Sequence, residues 1–173
     1  TGNKFLLYLG TLQPKKNIEN LIRAFASFSS KFAEVNLVIA GKKGWLYDQI
    51  FSEVDRLSMR EKVIFPGFIP EEDKPYLISG AAVFVLPSFY EGFGIPVLEA
   101  MDLGVPVIIS NKGSLPEVGG EAAIYCDPYS IKSISEAIEK VFCLNKTVRN
   151  EIINRGLKQA RDFSWEQCAE KII

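Results

Sequence analysis

Histidine is absent from the 173 residues. That removes an imidazole general base, a Ser-His-Asp triad and most zinc sites at once. Cysteine is scarce: Cys126, Cys143 and Cys168 are odd in number, with neither CxxC nor metal-ligand spacing. Reduced thiols of a cytosolic protein are the expectation. An excess of one charge is also missing. With 20 basic and 21 acidic residues dispersed along the chain, the net charge is −1 and no nucleic-acid footprint stands out. No apolar run approaches the roughly 20 residues of a membrane-spanning helix. The longest, Ala81 to Leu86, lies between Gly80 and Pro87 and is strand-sized. No basic stretch leads into a cleavable apolar segment, so no secretion signal is read and a cytoplasmic location is expected. There is no Asp-x-Asp pair for a divalent ion. Chemistry here must run on carboxylates, lysine, backbone amides or a bound ligand.

What is present alternates short apolar runs with helical patterns, the signature of βα units. Strands are expected at Phe5–Leu9, Val35–Ala40, Lys62–Phe65, Ala82–Leu86, Val105–Ile109 and Ala123–Tyr125. Their near-continuous apolar character suits strands covered on both faces. Helices are expected from Ile18, with Asn17 as N-cap, and around Tyr47–Ser58, Glu71–Ser79 and Pro96–Leu103. Three more are expected at Ile131–Leu144, Thr147–Arg161 and from Ser164 onward. Pro66-Gly67 reads as a turn. The predicted fold is a single α/β domain with a doubly wound, mostly parallel, Rossmann-like sheet and helices on both faces. In such sheets ligands bind beyond the carboxyl ends of the strands, near the topological switch point.

Two loops in that position carry the chemistry. Pro87-Ser88-Phe89-Tyr90-Glu91-Gly92-Phe93-Gly94-Ile95-Pro96-Val97-Leu98-Glu99 leaves a buried strand, passes two glycines and enters a helix started by proline. Glycine permits close backbone approach to a ligand, and a helix start offers free N–H groups to an anion. Glu99 is placed in the helix's first turn, able to reach back over the same pocket. The other loop, Gly10-Thr11-Leu12-Gln13-Pro14-Lys15-Lys16-Asn17, brings two lysines but neither a P-loop nor a GxGxxG fingerprint. Taken singly, each feature also fits a plain turn, a solvated acid or an exposed lysine. Phe89, Tyr90 and Phe93 fit sugar stacking, a pocket wall or core packing equally well.

Together these residues resemble a known family. Glu91 to Glu99 matches the E-x7-E motif of retaining glycosyltransferases of family 4, and Gly10 to Asn17 is similar to that family's first-strand loop. Ser114-Leu115-Pro116-Glu117-Val118 and Gly41-Lys42-Lys43-Gly44-Trp45 are also similar to its members, and the likeness runs over essentially the whole chain. It implies a GT-B architecture of two Rossmann-like domains, of which this chain resembles the C-terminal, donor-binding one alone; it is expected to be cut from a longer enzyme and inactive by itself.

The resemblance implies that Lys16 pairs with the phosphates, Glu91 contacts the donor sugar and Glu99 holds the ribose hydroxyls. Glu91 and Lys16 are thereby the catalytic pair. It further implies that backbone amides of Gly92, Phe93, Gly94 and Ile95 meet sugar and diphosphate, and that Phe68 and Ile69 meet the base. Many members carry arginine where Thr11 stands; threonine here resembles a subgroup rich in mannosyl- and rhamnosyl-transferases, which favours GDP-mannose. Cofactor-free, metal-independent donor binding is expected. A glycan or lipid-linked acceptor, and any membrane contact, would belong to the missing N-terminal half. The alternative is a catalytically inactive homologue that senses or scaffolds through the same pocket.

Overall fold

The computed structural model describes residues 4–163; the helix expected from Ser164 and the third cysteine, Cys168, lie outside them. Among the described residues six strands form one all-parallel sheet. These are β1 (Phe5–Leu9), β2 (Asn36–Ala40), β3 (Val63–Gly67), β4 (Val83–Leu86), β5 (Val107–Ser110) and β6 (Ile124–Cys126), in the order β3-β2-β1-β4-β5-β6. The α-helices among the described residues are α1 (Ile18–Ser29), α2 (Asp48–Arg56), α3 (Lys74–Ser79), α4 (Ile95–Asp102), α5 (Leu115–Gly119), α6 (Ile131–Phe142) and α7 (Lys146–Arg161). Strand order reverses between β1 and β4, so the crevice where a doubly wound sheet receives ligands opens beyond Leu9 and Leu86. The two loops singled out in the sequence flank that point.

The sequence periods explain the layers. All four residues of β4 and of β5 are buried, as continuous apolar runs covered on both faces should be. Ile18, Leu21, Ile22, Phe25 and Phe28 recur at helical spacing in α1 and all are buried. Phe28 stacks on Phe32 at 4.5 Å between centroids and meets Phe142 of α6 at 5.0 Å, locking α1 to α6. On the other layer α4 packs against α3, α5 and α7. Beyond the sheet the Asn145 side chain accepts from Val148 N–H at 3.0 Å and caps α7.

Two expectations are corrected. Pro66-Gly67 is the end of β3, not a turn, because β3 is an edge strand that shifts register against β2 and pairs Gly67 with Ala40. Between the strands expected at Val105–Ile109 and Ala123–Tyr125 no helix was expected, yet α5 forms there, with a proline in its first turn. Asn17 does hold the N-cap position of α1, where its carbonyl accepts from Leu21 N–H, but it does so with a left-handed backbone (φ 59°) and makes no side-chain hydrogen bond to the helix.

Candidate functional site

Asn17 instead ties the site's frame together. Its buried Nδ2 donates to Pro87 O at 2.9 Å and Pro128 O at 2.7 Å, joining the loops after β1, β4 and β6. Phe89 N–H donates to Lys15 O at 2.9 Å, a second stitch between the β1 and β4 loops. A one-turn 3-10 helix, Pro14–Lys16, then carries Lys16 over the crevice.

There Lys16 Nζ donates to both carboxylate oxygens of Glu91, at 2.6 and 2.7 Å. The side chains keep 16% and 8% of their exposure, so the pair is largely desolvated. Ser88, fully buried, donates its hydroxyl to Glu91 Oε1 at 2.7 Å. Below them Tyr8 is completely buried and donates to Thr11 O at 3.2 Å. Burial, reinforced by the Glu91 charge, holds its phenol well above the ordinary range, so it remains a donor.

The backbone after Glu91 is shaped for an anion. Gly94 sits at φ 106°, a conformation that side-chain-bearing residues rarely adopt, and turns the chain into α4. Ser114 Oγ lies 3.0 Å from Glu91 O and from Phe93 O and pins this bend. Among the described residues no protein oxygen accepts from the N–H groups of Gly92, Phe93, Gly94 or Ile95. Four unclaimed donors at the positive end of a helix, next to an ammonium group, form an anion cradle.

Thr11, Phe68 and Ile69 meet elsewhere, in a cleft of about 180 Å³ shared with Lys42, Lys74 and Pro96. The helix begins at Ile95, so Glu99 falls in its second turn, four residues after Ile95 and on the same face. It lines an outer groove with Phe93, Ile95 and Phe163, and a second depression with Lys74. Glu99 thus shares one groove with Phe93 and Ile95 of the amide row and another depression with Lys74. Lys74 links that depression to the Phe68 cleft.

The three aromatic residues of the motif diverge too. Phe89 packs against Tyr129 at 5.1 Å, Phe93 meets Phe163 edge-on at 5.8 Å, and Tyr90 is exposed. Sequence reasoning assigned no role to Ser88, Ser114, Tyr8 or Lys74. Ser88 and Ser114 lie in the quoted motifs and were findable as hydroxyls beside an acid; Lys74 carried no local signal.

A larger concavity, about 610 Å³, opens at the amino-terminal end of the strands near Phe142 and Arg149. Its Arg149 is spent on Ala82 O at 2.6 Å, and it lies at the opposite end of the strands from the switch point. Cys126 is buried, and burial with the Asp127 charge raises its thiol to about 12, which makes it inert. No described helix is long and apolar enough to cross a membrane, and no group of three or more metal-ligating side chains occurs among the described residues.

Comparison with known proteins bears on the family and the fold. The sequence profile of glycosyl transferases group 1 matches residues 1–159. O-antigen chain mannosyltransferase B of Escherichia coli is 41% identical over 98% of this chain, which spans 44% of that protein. Sucrose-phosphate synthase from Thermosynechococcus elongatus superposes with a TM-score of 0.87 at 27% identity, over 98% of this chain and 44% of that one. The C-terminal domain of a glycosyl transferase group 1 protein from Francisella tularensis shares the fold, with a TM-score of 0.82 at 22% identity over 94% of this chain and 86% of that domain. The chain therefore spans less than half of its curated mannosyltransferase relative. This chain belongs to the glycosyl transferases group 1 family.

Proposed function

We propose that this chain is the C-terminal, donor-binding domain of a retaining family 4 glycosyltransferase with GT-B architecture. Its donor is a nucleotide diphosphate sugar, with GDP-mannose favoured, and it supports hexosyl transfer to a glycan or lipid-linked acceptor held by an N-terminal half. The observation that carries this reading is the row of unclaimed amides from Gly92 to Ile95 beside the Lys16–Glu91 pair. Similarity to a mannosyltransferase supports the sugar. Similarity to a solved C-terminal domain supports the placement within a longer enzyme.

The chemistry follows from charge. Transfer breaks the bond between anomeric carbon and phosphate oxygen, and the departing nucleoside diphosphate gathers negative charge. Fixed N–H donors and a cation aimed at that charge are the strongest lever a protein holds. To reach the phosphate, Lys16 exchanges the Glu91 carboxylate for a phosphate oxygen. The freed carboxylate turns to the donor sugar, whose carbon becomes cation-like. Thr11 adds a hydroxyl where an arginine would add charge. With an ammonium and four amides in place, the diphosphate needs no divalent ion. The fragment alone binds donor without turnover, the full enzyme works in the cytoplasm, and any peripheral membrane contact belongs to the other half.

Calorimetric titration with GDP, UDP and GDP-mannose tests this. Saturable binding that survives EDTA and falls at least tenfold in Lys16→Met is the expected result. Absence of binding by any nucleoside diphosphate, or binding only with added magnesium, would sink it. In the full-length enzyme Glu91→Ala should abolish transfer while the protein stays folded; retained transfer removes Glu91 from catalysis.

A further inference from the structure

We propose that Lys42 and Lys74 select guanine as the base of the donor nucleotide, by reading its N7 and O6 edge in the cleft beside Phe68. The proposal rests on the donor-domain reading above and sharpens it to a guanosine diphosphate sugar. The cleft lies one step along the crevice from the anion cradle. Pro96, in the first turn of α4, forms part of its wall, and Thr11 of the β1 loop forms another. Lys74 lines both this cleft and the depression that holds Glu99, so a base in the cleft adjoins a ribose at Glu99.

The lining has an unusual hydrogen-bonding character. Its two charged side chains are both lysines, and no carboxylate lines it among the described residues. An ammonium group donates and cannot accept. The cleft's charged side chains therefore fit an edge that presents acceptors side by side. Guanine does so at N7 and O6; adenine presents a donor at the equivalent exocyclic position, and lysine engaging both guanine acceptors is a recurrent specific contact. Uracil offers isolated carbonyls on either side of an N–H.

Both lysines are held near the cleft. Lys42 Nζ stands 4.5 Å from the centroid of the Phe68 ring, a cation–π contact that positions it at the mouth. The Lys74 side chain is only 22% exposed, and its partner Glu71, at 2.5 Å, is 77% exposed. Exposed pairs are weak, so a base edge displaces Glu71 at little cost. Phe68, more than half exposed, offers a face for the base.

The test is titration of the full chain with GDP, 7-deaza-GDP, UDP and ADP, repeated on Lys42→Met and Lys74→Met. A good two-acceptor contact is worth roughly five- to hundredfold in discrimination. GDP should therefore outbind UDP and ADP by that factor, and the deaza analogue should lose most of the advantage. In Lys74→Met, GDP affinity should drop toward that of UDP while UDP affinity holds, which also shows that the variant is folded. UDP or ADP binding as tightly as GDP, or 7-deaza-GDP matching GDP, overturns the base assignment and leaves the donor-domain reading standing. Failure of every nucleoside diphosphate to bind is the separate outcome that removes that reading itself.

Discussion

Replacing Lys16 by Met tests the central geometry without any ligand. Its ammonium touches both oxygens of Glu91 at 2.6 and 2.7 Å, and the two side chains retain 16% and 8% of their exposure. A solvated surface pair is worth about 0–1 kcal/mol, whereas breaking a fully buried pair costs about 3–5 kcal/mol. The geometry lies nearer the second limit, but Lys16 retains a solvent path, which places the loss at about 2–3 kcal/mol. The Glu91 carboxylate would be left with the Ser88 hydroxyl as its remaining side-chain partner. For a domain of this size that corresponds to a fall in Tm of roughly 4–12 °C. The assay is urea unfolding of Lys16→Met, Glu91→Gln and the double variant. A coupling energy of about 2 kcal/mol is expected from the cycle. Coupling below about 0.5 kcal/mol would mean the pair behaves as a surface pair, refuting the claim that Lys16 is held by Glu91 in the free domain. The same cycle has a binding arm. Glu91→Gln releases the ammonium from a competing anion, so affinity for bare GDP should rise severalfold even as sugar transfer fails.

Further outcomes follow from the frame around the site. Asn17→Ala leaves the carbonyls of Pro87 and Pro128 without their buried donor, so a loss of about 1–3 kcal/mol per orphaned group is expected in denaturant unfolding; an unchanged midpoint would contradict the clamp. Hydrogen bonds from Arg56 and Arg23 lower Glu53 to about 2. Folded Glu53 thus binds its proton less readily than the unfolded chain, and its contribution is complete above about pH 4.5 and lost as pH falls toward 2. Solvent around Arg56 keeps that contribution modest. Glu53→Gln should flatten this part of the acid unfolding curve, with a slope equal to the parent's counting against it. Cys126, held at about 12 by burial, should resist alkylation at pH 8 in the folded protein while the exposed Cys143 reacts. Peptide mapping after labelling decides the point.

Much of the sheet could be read from residues alone, because a strand covered on both faces leaves an unbroken apolar run. Leu6 to Leu9 and Val83 to Leu86 are such runs, and the Phe25 and Phe28 stripe gave α1 its buried face. Local chemistry misled where tertiary partners decide. Asn17 has the side chain of a cap, yet two carbonyls from distant loops claim it. Pro66 looks like a turn residue until the sheet order makes β3 an edge. The Lys16–Glu91 contact joins residues 75 positions apart. The motif places both in strand-end loops, but nothing in the residues said that they would bind each other before binding a ligand. Legibility is lowest for the Phe68 cleft. Thr11, Lys42, Phe68 and Lys74 come from four separate stretches, and only the parallel packing of β1, β2 and β3 brings them to one wall.

Pro66 has a consequence for the molecule's behaviour in company. A parallel sheet ends in two margins whose free amides and carbonyls invite strands from other chains. On one margin Pro66 removes an amide from β3, whose register also slips against β2. On the other, β6 runs for only three residues. Neither rim offers a long, regular template, so a crowded solution of this domain should resist growth of fibrils by strand addition.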